Sequence, residues 1–431
     1  MKILVRTKHI RVLKWSQLLK WTRKGKCKTL IPKLESRRRR AEKNDMNEMD
    51  LWRDNLGDHL DQLPLDLTEK IISQVPFSEI FRYRAPWERW SEKFVKSLLS
   101  PFFSRNRATC WPTFSPAFVL DKQKLVAFNR LDSCWEYFHF EAMPSISSPK
   151  FCSEPMFGGA LVCVIEYTEA FPVAFVINVL TGKRRQIVCP PAVGDSHFFS
   201  PLIVPVEAEE TYLLIFYGIK AENTKTSLFE VYLYDSGSRG WSYQAVEACE
   251  MSSISRCVYL DGVLYGMWPC TRSSTFTYLF QFDLESGLLS ETHAMEFEKG
   301  RFVKSGVLVC GSRVMVVVIE SDPVTLVCDG ARVFEVDPEK GLIEGDRSPA
   351  CELVGSVKSK QGGGTMLTSD DNCIYICDHD TFILYYVQSG VWVSHHYPCL
   401  TDPLPAEYNE LCLRGQQPVT FNPGLNPSAR P

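Results

Sequence analysis

The chain has no run of 18 consecutive apolar residues, which argues against a membrane-spanning helix. Its N-terminus lacks an uninterrupted apolar segment with a small-residue cleavage site, so no secretory signal is expected. There is no P-loop, no Rossmann fingerprint, no Gly-x-Ser-x-Gly elbow and no His-Glu-x-x-His helix. Those absences remove the sequence-readable routes to nucleotide, serine-hydrolase and zinc-protease chemistry. Beyond residue 105 no amphipathic helical pattern longer than two turns occurs. The 16 cysteines are scattered, and Cys163, Cys257 and Cys310 sit inside apolar, strand-like runs. They read as reduced, packed thiols of a cytosolic or nuclear protein.

The composition is that of a globular chain with a core: 45% hydrophobic and 23% charged over 431 residues. The net charge of −3 conceals two opposed parts. Residues 1–44 hold 16 Lys and Arg against Glu35 and Glu42, about +14, leaving 32 basic and 49 acidic residues, about −17, for the rest. An acidic body argues against gripping nucleic acid through its phosphates. The basic leader (1–50) ends its charge run in Arg37–Arg40 and has Val12, Trp15 and Leu19 on one helical face. It admits a flexible solvated extension, a nuclear-import patch or an organelle-import peptide, so cytoplasm or nucleus is expected with organelle import open.

From residue 57 to 104 the pattern is helical. Leu63, Leu67, Ile71 and Val75 recur every four residues with Ile72 beside them, forming one apolar stripe. Pro64 suits the first turn and Pro76 ends it. Ser78 offers an N-cap before Ile80, Phe81 and Tyr83, and Trp87, Trp90, Phe94, Leu98 and Leu99 form a third cluster. Three short helices of this size bury little surface by themselves.

From 105 to 400 the character is β, with candidate strands at 160–167, 212–217, 228–234, 258–267, 314–319 and 374–376. A repeat organises them. An aromatic or aliphatic run leads to a turn with Gly, then to Trp or another apolar residue. The anchoring glycines are Gly182, Gly237, Gly287, Gly341 and Gly390, separated by 55, 50, 54 and 49 residues, and Ser133-Cys134-Trp135 lies 49 residues before the first. A period near 50 with about four strands per unit describes a kelch-type propeller blade, and six copies predict about six blades, give or take one. One blade cannot bury both faces, so neighbours must stack around an axis, with Trp135, Trp241 and Trp392 packing between them. The ring must close with a strand borrowed from one end. The tail 401–431 holds six prolines and reads as largely disordered.

The segment Leu63-Pro64-Leu65-Asp66-Leu67, Ile71-Ile72, Val75-Pro76-Phe77, Ile80-Phe81-Arg82-Tyr83-Arg84 and Arg89-Trp90 resembles an F-box. With the repeats behind it, above all Phe276 to Gly287, the chain is similar to plant F-box proteins with divergent kelch or F-box-associated repeats. The resemblance implies a small all-α F-box followed by an all-β propeller of about six kelch-like blades. It further implies a non-catalytic substrate receptor of a Skp–cullin–F-box ubiquitin ligase. Leu63, Pro64, Leu67, Ile71, Ile72, Pro76, Phe77, Ile80, Phe81, Arg84, Trp87 and Trp90 would then bind the Skp-type adaptor, and the propeller a protein substrate. No cofactor is implied. Pro86-Trp87 stands where the family usually has Val-Cys, and a proline disfavours helix at the preceding residue. That departure motivates an alternative, a kelch-like scaffold whose F-box no longer recruits an adaptor. A propeller enzyme would need converging reactive side chains that the sequence does not disclose.

Other clusters carry less. Cys373, Cys377 and His379 have a metal-like spacing, but two residues four apart on a strand lie about 13 Å apart, too far for one zinc. His395 and His396 would face opposite sides of a strand. Gly362–Gly364 reads as a flexible connection, and Glu207, Glu209 and Glu210 as a solvated loop.

Overall fold

The structure is a computed structural model. It describes residues 64–66, 114–121, 124–129, 134–139, 156–167, 171–179, 183–195, 200–206, 211–221, 226–249, 254–269, 276–296, 302–321, 328–337, 340–347, 366–377, 381–396 and 419–421. The basic leader lies outside the described residues, as does all of the F-box-like segment except Pro64, Leu65 and Asp66.

The described strands form six four-stranded antiparallel sheets. Sheet 1 contains β1 (Phe114–Asp121), β2 (Lys124–Asn129) and β3 (Cys134–His139). Sheet 2 contains β4 (Met156–Gly158), β5 (Leu161–Tyr167), β6 (Pro172–Asn178) and β7 (Arg184–Val188), followed by a short helix at Pro191–Asp195. Sheet 3 contains β8 (Ser200–Val206), β9 (Thr211–Ala221), β10 (Thr226–Asp235) and β11 (Gly240–Cys249). Sheet 4 is β12 (Val258–Leu260), β13 (Val263–Pro269), β14 (Phe276–Asp283) and β15 (Leu289–Glu296). Sheet 5 is β16 (Phe302–Cys310), β17 (Arg313–Ser321), β18 (Cys328–Asp337) and β19 (Gly341–Arg347). Sheet 6 is β20 (Met366–Ser369), β21 (Cys373–Cys377), β22 (Thr381–Tyr386) and β23 (Val391–His396). Within sheets 2 to 6 the strands follow chain order.

Local chemistry explains the repeat. Each of its turns joins the last two strands of a sheet. Asp235 accepts a hydrogen bond from the Gly237 amide at 2.8 Å, Asp283 from the Ser286 amide at 2.6 Å, and Asp337 from the Lys340 amide at 2.8 Å. The aspartate thereby replaces a backbone acceptor at the turn. Gly287, Gly341 and Gly390 then take φ of +69°, +87° and +67°, a conformation that a β-carbon opposes.

Sheets stack through shared cores. One cluster joins sheets 2 and 3 through Cys163, Val176 and Ile187 against Tyr212, Leu214 and Phe216. Others join sheets 3 and 4 (Phe229, Val231 with Leu264, Phe280), 4 and 5 (Met267, Leu279 with Val316, Val318), and 5 and 6 (Val317, Val333 with Ile374, Tyr385). Phe128 of sheet 1 packs with Tyr375 and Leu384 of sheet 6. The first strands approach one another closely. A β-carbon on Gly158 of β4 would come within 2.3 Å of the Ile203 carbonyl oxygen of β8, so only glycine fits there.

The last described strand closes the ring. β24 (Val419–Phe421) pairs with β1 through Phe114 opposite Phe421 and Ala117 opposite Val419, giving sheet 1 the order β24-β1-β2-β3. β24 also touches β4 of sheet 2 and β20 of sheet 6, so the sheets form a closed β-propeller. The repeat calls for a ring closed by a strand borrowed from one end, and β24 is that strand, three residues of the segment 401–431 expected to be largely disordered. One expectation is corrected here. The single strand expected over 258–267 is two, β12 and β13, divided by Asp261-Gly262, both at positive φ.

Candidate functional site

Of the residues assigned to adaptor binding, only Pro64 is described, and it is solvent-exposed beside exposed Leu65 and Asp66. Leu63, Leu67, Ile71, Ile72, Pro76, Phe77, Ile80, Phe81, Arg84, Trp87 and Trp90 lie outside the described residues, as do Glu207, Glu209, Glu210 and Gly362–Gly364.

The three tryptophans assigned to blade packing occupy equivalent places near the start of a sheet's last strand. Trp135 lies opposite Phe128, Trp241 opposite Tyr234 and Trp392 opposite Tyr385. Trp241 leans on Tyr234 and Phe216, with ring centroids 5.2 and 5.7 Å apart. Its Nε1 donates to the Val188 carbonyl of sheet 2 at 3.0 Å. Trp392 leans on Tyr385 at 4.6 Å against the core between sheets 5 and 6, but its buried Nε1 has no hydrogen-bond partner among the described residues. Cys373 and Cys377 stand at the two ends of β21, buried in the apolar cluster with Phe128. Asp370, also buried, accepts hydrogen bonds from the Asn372 and Cys373 amides at 2.8 Å and from the Tyr375 hydroxyl at 2.6 Å, which holds the turn into β21. Among the described residues no three His, Cys, Asp or Glu side chains gather as metal ligands.

The arrangement with most chemical content lies where sheet 3 faces sheet 2. Strand alternation puts Glu230, Tyr232 and Tyr234 of β10 on the same face, and Tyr232 and Tyr234 pack on the core shared with sheet 2. Tyr243 of β11 is directly opposite Tyr232, their rings 4.7 Å apart. The Tyr243 hydroxyl donates to Glu230 Oε1 at 2.8 Å, and Lys220 Nζ lies 3.9 Å from the same oxygen. Glu230 is only 3% exposed, whereas Tyr243 is 50% exposed. Burial and the Glu230 carboxylate both push the Tyr243 hydroxyl above its ordinary range, so it remains a donor. Tyr243 lies two residues beyond Trp241 on the same face of β11, and Trp241 is bound to exposed Val188 at the end of β7. Phe171, just before β6, is exposed beside that end, where Pro172 accepts the Cys189 amide. The result is a buried carboxylate held beneath two stacked tyrosines, one of them half exposed. Sequence reading missed it. The usable signal was one acid in an otherwise apolar run, Leu228-Phe-Glu-Val-Tyr-Leu-Tyr234.

No family model matches the chain, and no curated protein matches it. Solved structures do. One is the β-propeller domain of the Trilobed protease from Pyrococcus furiosus, with 11% identity and a TM-score of 0.30, covering 57% of this chain and 85% of that one. Another is TolB from Acinetobacter baumannii, with 9% identity and a TM-score of 0.36, covering 77% and 72%. A third is a putative 6-phosphogluconolactonase from Bacteroides fragilis, with 8% identity and a TM-score of 0.35, covering 65% and 92%. The propeller assignment rests on this chain's own sheet order and closed ring of contacts.

Proposed function

We propose that this chain is the substrate-receptor subunit of a Skp–cullin–F-box ubiquitin ligase, built from an F-box and a kelch-like propeller. The observation that carries the reading is the order of its parts: an F-box-like run from Leu63 to Trp90, then a β-propeller from Phe114. A propeller closed on itself has a rigid rim and presents side chains at its seams and loops, which suits a protein-interaction module. Ligase chemistry belongs to the partner conjugating enzyme, and this subunit supplies proximity and orientation. A second reading, a scaffold without adaptor, is favoured by Pro86-Trp87 in the F-box-like run.

A pull-down of the purified chain on a Skp-type adaptor separates the two. Wild type is expected to be retained, and the double variant Leu63→Ala/Ile72→Ala to be lost while keeping the wild-type circular dichroism spectrum. Folded wild type that is not retained would leave the scaffold reading. Trp87→Cys would then test whether the family departure is the cause, by restoring retention.

A further inference from the structure

The middle strands of sheets 3 and 5 carry the same diagonal ion pair with its charges reversed. Gly218 is the cross-strand partner of Glu230 and Lys220 of Leu228, while Val318 is the partner of Arg332 and Glu320 of Gly330. Lys220–Glu230 and Glu320–Arg332 are therefore equivalent. In sheet 5 both side chains are largely buried, at 12% and 23% exposure, and the guanidinium bonds directly to the carboxylate. In sheet 3 the carboxylate is more deeply buried, at 4%, yet its cation is 61% exposed and 3.9 Å away. A buried carboxylate is costly unless a cation or several hydrogen bonds compensate it. Sheet 5 meets that requirement with its own arginine. Among the described residues, sheet 3 meets it with one tyrosine hydroxyl and a distant, solvated ammonium.

We propose that the seam between sheets 2 and 3 binds a basic side chain, lysine or arginine, of an extended partner polypeptide. Its cation takes the place of Lys220 at Glu230, beside the Tyr232 and Tyr243 rings. Aromatic faces attract a cation, and Tyr243 is open enough to be covered by one. The faces of the stacked Tyr232 and Tyr243 rings receive the apolar stem of that side chain. The acidic sign of the body draws such a segment in, with an on-rate that falls as salt rises. As a statement of the substrate's chemistry this rests on the propeller being the partner-binding half, but it needs no adaptor. Retention on the adaptor, measured beside it, therefore distinguishes failure of either idea.

The probe is a fluorescein-labelled peptide with one arginine between two leucines, compared with its citrulline counterpart, which keeps the shape without the charge. Fluorescence anisotropy on the full chain should show the arginine peptide binding at least tenfold tighter. Glu230→Gln should abolish that preference, and Lys220→Ala, which removes the internal competitor, should tighten arginine binding several-fold. Equal affinity for both peptides overturns the proposal, as does a preference that survives in folded Glu230→Gln. Unchanged affinity in Lys220→Ala overturns the displacement of Lys220. An unlabelled peptide of residues 1–44 competes as the alternative occupant. If it displaces label better than its scrambled version while free arginine peptides do not, the slot serves this chain's own leader and an external partner is overturned.

Discussion

At the residue scale, Trp241 and Trp392 form a natural pair of experiments. They occupy equivalent positions and lean on equivalent tyrosines, yet among the described residues only the indole N–H of Trp241 has a partner. A net hydrogen bond is worth about 1 kcal/mol, whereas a buried donor without a partner is a burden. Trp241→Phe should therefore cost about 1 kcal/mol more than Trp392→Phe, read from denaturant midpoints at constant slope. Equal losses would show that packing alone decides. The importance of these tryptophans was legible because an aromatic after a glycine turn repeats along the chain. Which of them finds an acceptor was not legible, because Val188 lies 53 residues from Trp241 in another sheet. Glu230 escaped for a similar reason. Its environment is made by Tyr243 and Lys220, brought across two strand pairings that register alone cannot announce from one strand's sequence.

At the element scale, turns and strands differ in how plainly they are written. The Asp-to-Gly turns were readable because their chemistry is complete within five or six residues. Asp283 shows the consequence: the Ser286 amide and hydroxyl, with the Glu285 amide, hold its carboxyl below the usual range. A folded value below the unfolded one means the turn's contribution is in place above the unfolded value near about 3.9 and fades as pH falls through the folded value. Asp283→Asn should accordingly flatten the loss of urea midpoint between pH 7 and pH 2.5, and an unaltered slope would remove this turn from the acid response. A closing strand was foreseen in kind, but its place at Val419–Phe421 was not readable. Three residues after Pro418 offer no periodicity, and what makes them a strand is the open edge of β1 supplied by distant sequence. Thr420→Pro, which takes a donor from the middle of β24, should lower Tm by about 5 °C. It should also speed hydrogen exchange at the β1 amides, and exchange that stays as slow as in wild type would argue that β1 is held by β2 alone.

At the scale of the whole molecule, the ring is a set of apolar seams, and six cysteines lie in them. Cys163, Cys189, Cys257, Cys310, Cys373 and Cys377 are all buried thiols. Burial raises the Cys163 and Cys257 thiols well above their ordinary range and pushes Cys189 and Cys310 up to about 12, so at pH 8 they are protonated and weak nucleophiles. Iodoacetamide at that pH should leave all six unlabelled in the native protein and label them in guanidinium, as peptide mapping would show. Labelling of the native protein at any of them would mean that its seam opens. The propeller was visible in the sequence because repetition multiplies a weak signal by six. Its seams were less so, since apolar residues alternate on both faces of every blade and the sequence does not say which neighbour each face meets.

Closure by β24 has a further meaning for how the molecule comes into being. The partner of β1 lies 298 residues beyond the end of β1. At roughly 5 to 20 residues per second, synthesis leaves β1 with an unpaired edge for about 15 to 60 seconds. An edge bare for so long is a template for another chain's strand. The newborn protein is therefore most vulnerable at its first sheet, and a chaperone that shields that one edge would protect the whole ring until its last strand arrives.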